Sequence, residues 1–110
     1  MLIRQGDVME FDFNPSLGHE PKGRRPGLVV SSDMFQASTS MTLICPITTT
    51  CNEFPLHLKL PDSIDEVYGC VCVEQVRAYD LEARNPKTIA HLNPDDDFMR
   101  DVINILKSFY

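Results

Sequence analysis

The apolar residues of this chain come in short alternating runs cut by Gly and Pro, which restricts it to short strands until its last seventeen residues. Val8-Met9-Glu10-Phe11-Asp12-Phe13 alternates with a period near two, as a strand with one buried face does. Asn14-Pro15-Ser16-Leu17-Gly18 is turn chemistry. A second strand is expected from about 26 to 32, with Pro26 tolerable only at a strand start or an edge. Residues 33–39 read as a loop or one helical turn. A third strand over 41–48 contains Pro46, which implies an edge or a bulge. A fourth strand spans 56–60, a fifth, valine-rich, spans 69–76, and 88–90 could close the sheet.

The period then changes. Asn93 is a good N-cap and Pro94 suits the first helical position. Asp95, Asp96 and Asp97 would lie at the positive end of the helix dipole, so capping explains them better than a metal site does. Met99, Val102, Ile103, Leu106 and Phe109 or Tyr110 recur at helical spacing as one apolar stripe. Five or six short strands and one helix predict a mainly β single domain over residues 1–110. It would be a small barrel or half-open roll with the helix across one end or face. Exposed edges of such a sheet often become dimer interfaces.

Net charge is −6, but the excess is uneven: residues 1–60 carry five Lys/Arg and six Asp/Glu, and residues 61–110 carry five and ten. The one cationic cluster is 22–25, so a polyanion would be held locally, and tightly only at low salt. No apolar run approaches the ~18 residues that span a bilayer. The N-terminus lacks the apolar core of a signal peptide, so a cytoplasmic protein without membrane contact is expected. Of the four cysteines, Cys45 and Cys51 are separated by five residues and Cys70 and Cys72 by one. Those gaps do not match the usual zinc-ligand spacing, and cytosolic thiols stay reduced. The expectation is therefore small apolar strand residues, with no disulfide, metal or cofactor.

The chemistry concentrates in Gly18-His19-Glu20-Pro21-Lys22-Gly23-Arg24-Arg25-Pro26. A histidine, a carboxylate and three cations share one loop tethered to the strand Leu28-Val29-Val30. These are the groups that move protons around a phosphodiester and neutralise the charge building on it. Further along, Gly6-Asp7-Val8, Asp12-Phe13-Asn14-Pro15, Pro46-Ile47-Thr48-Thr49 and Gly69-Cys70-Val71-Cys72-Val73-Glu74-Gln75-Val76-Arg77 complete an ordered set. That set, with Gly18-His19-Glu20 and Arg25-Pro26-Gly27, resembles the MazF/PemK family of toxins from bacterial toxin–antitoxin modules. The resemblance covers nearly the whole chain, from Gly6 to the final helix.

The resemblance implies an SH3-like β-barrel of the CcdB/MazF type with a C-terminal α-helix, forming a homodimer. It also implies a metal-independent, sequence-specific endoribonuclease that cuts single-stranded RNA, often mRNA, and arrests growth. A cognate antitoxin would neutralise it by wrapping over the RNA groove. Arg25 and Thr48 match the family's active-site motif, with Glu20, His19 and Glu74 as neighbours. Cys72 stands where some members carry an arginine.

The residues fit that chemistry. RNA is cut without metal when its own 2′-OH attacks the adjacent phosphorus, which takes a base, an acid and cations on the transition state. Arg25 offers a permanently charged donor fork for phosphate oxygens. Thr48 offers a hydroxyl at a strand end. The base is left among Glu20, Glu74 and His19, histidine being the residue type that titrates near neutral pH. Lys22 and Arg24 are expected to support RNA binding, as are Thr49, Gln75 and Arg77, with Gln75 placed to read a base edge. On a continuous strand Glu74 and Arg77 would face opposite ways unless a bulge intervened. Phe35, Phe54, Tyr68 and His57 are the candidate rings for stacking unpaired bases, and core packing is the competing role for each. Two other functions compete: a CcdB-like poison that binds gyrase, and a non-catalytic RNA-binding member of the same fold.

Overall fold

The computed structural model describes residues 2–14 and 23–110. Among these residues seven strands form one antiparallel sheet: β1 (Asp7–Asp12), β2 (Arg24–Val29), β3 (Thr42–Thr48), β4 (His57–Lys59), β5 (Cys70–Cys72), β6 (Arg77–Tyr79) and β7 (Lys87–His91). The order is β4-β5-β3-β2-β1-β7, with β6 also paired to β3. Helix α1 (Asp33–Thr39) follows β2, and α2 (Asp97–Lys107) follows β7. The architecture is thus mainly β, an open antiparallel sheet with two helices.

Alternation along the strands sorts side chains into two cores. Val8, Leu28, Cys45, Ile47 and Val71 face α2, whose buried Met99 and Val102 pack onto them. On the other face Phe11 and Phe13 stack at 4.1 Å between ring centroids, and Tyr79 meets them edge-on at 5.2 and 5.4 Å. Met9, Val29, Ile44 and Leu81 complete that second core.

The start of β1 explains Gly6-Asp7. Gly6 has φ +94, and a Cβ there would collide with the Leu92 carbonyl oxygen. The buried Asp7 carboxylate accepts the Arg4 amide at 2.9 Å and lies 2.7 Å from His91 Nδ1, tying β1 to β7.

Five expectations change. Of the edge or bulge expected at Pro46, the edge is ruled out, because Pro46 lies in a central strand. The ladder on one side of β3 switches from β6 at Thr42–Ile44 to β5 at Ile47–Thr48, and Pro46 falls in that gap, unpartnered on that side while Gly27 of β2 pairs with it on the other. The expected strand over 69–76 is cut to Cys70–Cys72 by a 3₁₀ turn, Val73–Gln75, before β6. Helix α2 begins at Asp97 with Asp96 as N-cap, because Asn93 spends its side chain on a preceding turn, accepting the Asp95 amide at 2.9 Å. Its stripe stops short of Phe109 and Tyr110, which are exposed. Finally, Cys51 and Cys70 are joined as a disulfide. Thr48 pairs with Cys70 across β3 and β5, so the chain three residues beyond Thr48 turns back within reach of that cysteine.

Candidate active site

Strand register assembles the site. The last paired position of β2 and β3 in this direction is Gly27 with Pro46. Arg25 and Thr48 each lie two residues beyond it, so they occupy the same end of the ladder and the same face. Arg25 pairs with Phe11 on its other side and is exposed. The face is the one that carries the aromatic core, away from α2.

Thr48 is oriented by its own turn. Its Oγ1 accepts the Thr50 amide at 3.2 Å, which leaves the hydroxyl proton to donate elsewhere. Gly69 lets β5 approach: with φ +147, it has room only for a hydrogen, because a Cβ would collide with the Thr48 carbonyl oxygen.

The face continues from Thr48 to Cys70 and Cys72 on β5 and then to His57, which pairs with Cys72. His57 lies on this face, and sequence reasoning named it only as a stacking ring. Its Nε2 lies 2.9 Å from Glu74 Oε2 and its Nδ1 lies 3.1 Å from Asn52 Oδ1. The Phe54 ring meets it edge-on at 5.0 Å. Alternation of 56–60 put His57 and Lys59 on one face, but no sequence signal linked that face to Glu74, seventeen residues on.

Glu74 lies in the 3₁₀ turn, not on a strand, and there it faces His57. Gln75 is half-buried in the same turn. Arg77 opens β6 opposite Ile44, its guanidinium 6.0 Å from the centre of the Tyr79 ring. Thr49 is exposed just past β3. Arg24 is not brought to the site: it alternates to the other face from Arg25, donating to Glu10 at 2.8 Å and to the Asn85 carbonyl at 2.7 Å. His19, Glu20 and Lys22 lie outside the described residues. Of the candidate rings, Tyr68 is exposed and Phe35 half-buried on α1.

The free thiols are chemically quiet. Burial pushes the Cys45 thiol up to about 12, with Cys72 and Glu74 adding to it. Burial and then Glu74 push the Cys72 thiol up to about 11. Among the described residues, no group of three or more His, Cys, Asp or Glu side chains is placed to hold a metal ion.

Residues 4–110 match the family model described as PemK-like, MazF-like toxin of type II toxin-antitoxin system. The chain is 41% identical over 95 residues to the endoribonuclease toxin ChpB of Escherichia coli (strain K12), covering 79% of this chain and 78% of that protein. It is 31% identical over 102 residues to the endoribonuclease toxin MazF of the same strain, covering 92% and 90%. The structure superposes on that of MazF from Deinococcus radiodurans with a TM-score of 0.87 at 28% identity, over 99% of this chain and 96% of that one. It superposes on a MazE-MazF structure from the same organism with a TM-score of 0.82 at 28% identity, over the same shares.

Proposed function

Since the chain belongs to the family of PemK-like, MazF-like toxins of type II toxin–antitoxin systems, we propose that it is a sequence-specific endoribonuclease toxin. Its substrate is single-stranded RNA, and a cognate antitoxin neutralises it. The observation that carries this reading is the arrival of Arg25 and Thr48 at one end of the β2–β3 ladder, on one face.

The chemistry follows from those two groups. The substrate's 2′-OH attacks the adjacent phosphorus, and negative charge builds on the non-bridging oxygens. Arg25 meets that charge with its donor fork. Thr48, its oxygen already accepting from Thr50, donates its hydroxyl proton to a phosphate oxygen. Glu20, Glu74 and His19 are the candidates for the base. His57 and Glu74 form the wall beyond Thr48, where a neighbouring nucleotide would lie. This route needs no metal. A homodimeric, cytoplasmic protein of one domain, with its sheet rolled into an SH3-like barrel, completes the reading.

The test is a gel assay of the purified protein on a long single-stranded RNA in EDTA. Discrete fragments are expected from the wild type. Arg25→Ala should cut about 10²–10³-fold more slowly, the usual scale for losing one transition-state donor. A loss below about threefold in a folded variant would remove Arg25 from the mechanism. Intact RNA with the wild type would point instead to a gyrase-directed or purely binding protein.

A further inference from the structure

The segment leaving Thr48 carries a bond that the cleavage chemistry does not use. Cys51 and Cys70, whose Cα atoms lie 5.6 Å apart, are joined across it. Cys70 is the register partner of Thr48, and Cys51 Sγ sits 4.0 Å from the Thr48 carbonyl oxygen. The next residue, Asn52, accepts the Phe54 amide at 3.0 Å and holds His57 Nδ1 at 3.1 Å. The His57 amide in turn donates to the Phe54 carbonyl at 2.9 Å. The disulfide therefore pins the start of the stretch that presents His57 to Glu74, and it does so against the strand beside Thr48.

We propose that the Cys51–Cys70 disulfide is a reversible redox latch on the RNA site, the bonded form binding RNA more tightly than the dithiol form. The proposal rests on the endoribonuclease reading above. Closing the bond orders residues 49–56 before RNA arrives, so that ordering is not charged against binding. Opening it leaves Asn52 and Phe54 held by local hydrogen bonds and the Phe54–His57 ring contact.

Accessibility sets the route. Cys51 is exposed and Cys70 is 3% exposed, so exchange enters at Cys51. On closing, the Cys51 thiolate attacks oxidised glutathione and releases one glutathione thiol. Cys70 then attacks the Cys51 sulfur of the mixed disulfide and releases the second. Two cysteine thiols are oxidised, one glutathione disulfide is reduced, and both protons leave on the glutathione thiols. Cys45 and Cys72 stay out of this exchange, being buried and protonated.

The experiment equilibrates the full chain in glutathione buffers of graded ratio, counts thiols by alkylation and mass, and measures steady-state cleavage of a short single-stranded RNA. Two thiols should appear on reduction, and KM should rise about three- to tenfold, the scale of ordering one or two side chains, with kcat nearly constant. Cys51→Ser should show the reduced-form KM in every buffer. Two thiols gained with KM unchanged or lowered overturns the latch and leaves the nuclease reading standing. A bond that does not open across the range, or a Cys51→Ser variant that still responds, also overturns it. Cleavage by neither form overturns the latch and the nuclease reading together.

Discussion

At the scale of single residues, what stands next to Thr48 matters as much as Thr48 itself. Gly69 is required by the backbone: its φ of +147 and its closeness to the Thr48 carbonyl leave no space for a Cβ. Gly69→Ala should therefore lower stability by about 1–3 kcal/mol and slow RNA cleavage, because relief of the clash moves Thr48. Urea unfolding read beside a cleavage assay checks this, and a variant as stable as the wild type would contradict so close an approach of β5 to Thr48. The buried thiols make a second claim. Cys45 and Cys72 are held well above the ordinary thiol range. An unfolded thiol ionises near pH 8.5, so between there and pH 11–12 the unfolded state has lost protons that the native state keeps. The stability they contribute is complete below about pH 8.5 and is lost as pH rises. The urea midpoint should fall between about pH 8 and pH 10.5, and more steeply than in a Cys45→Val, Cys72→Val double variant. Equal slopes would show that the two thiols do not govern the loss.

At the scale of elements, the sequence disclosed what depends on local period and hid what depends on strand neighbours. The alternation of Val8 to Phe13 predicted β1, but not its two buried faces: Met9, Phe11 and, just past the strand, Phe13 face one core, and Val8 faces the other. Arg25 and Thr48 were legible as candidates by type and motif, and register then supplied their shared position. Pro46 misled only in part: the local rule offered an edge or a bulge, and the break in pairing that accommodates it, the gap between β6 and β5, is set by segments about thirty residues away. Glu74 was legible as a candidate but not its partner His57, since a 3₁₀ turn leaves no periodic trace in three residues. The disulfide was missed because compartment chemistry was weighed and the Thr48–Cys70 register was invisible. Helix α2 shows the same division. Its buried face is Met99 and Val102, while Tyr110 is 98% exposed. Met99→Ala should cost about 2–5 kcal/mol, whereas Tyr110→Ala should stay within about 0.5 kcal/mol. Chemical denaturation of both decides whether the stripe ends where the helix does.

At the scale of the whole molecule, charge sets how RNA is held. A net charge of −6 repels a polyanion at long range, yet Arg25 lies exposed at the proposed site. Arg24 is already engaged by Glu10 and the Asn85 carbonyl on the other face, so it adds little to the pull. Two electrostatic effects therefore oppose each other as salt rises. Contact pairs with phosphates weaken, by about 0.7 in log affinity per log salt for each phosphate neutralised on a single strand. Repulsion from the acidic remainder acts across more than a Debye length, about 8 Å at physiological salt, and is screened away first. KM should consequently change little from about 20 to 100 mM salt, where the two nearly cancel. Above that it should climb with a log–log slope of about 1, as one or two phosphate contacts imply, while kcat holds steady because the reacting phosphate is already in contact. Steady-state kinetics on one RNA across a KCl series reads both limbs. A slope of about 4 or more would require cations beyond those that the described residues bring to the site, and a flat upper limb would mean that RNA is held through stacking and hydrogen bonds at His57 and Phe54 in place of charge.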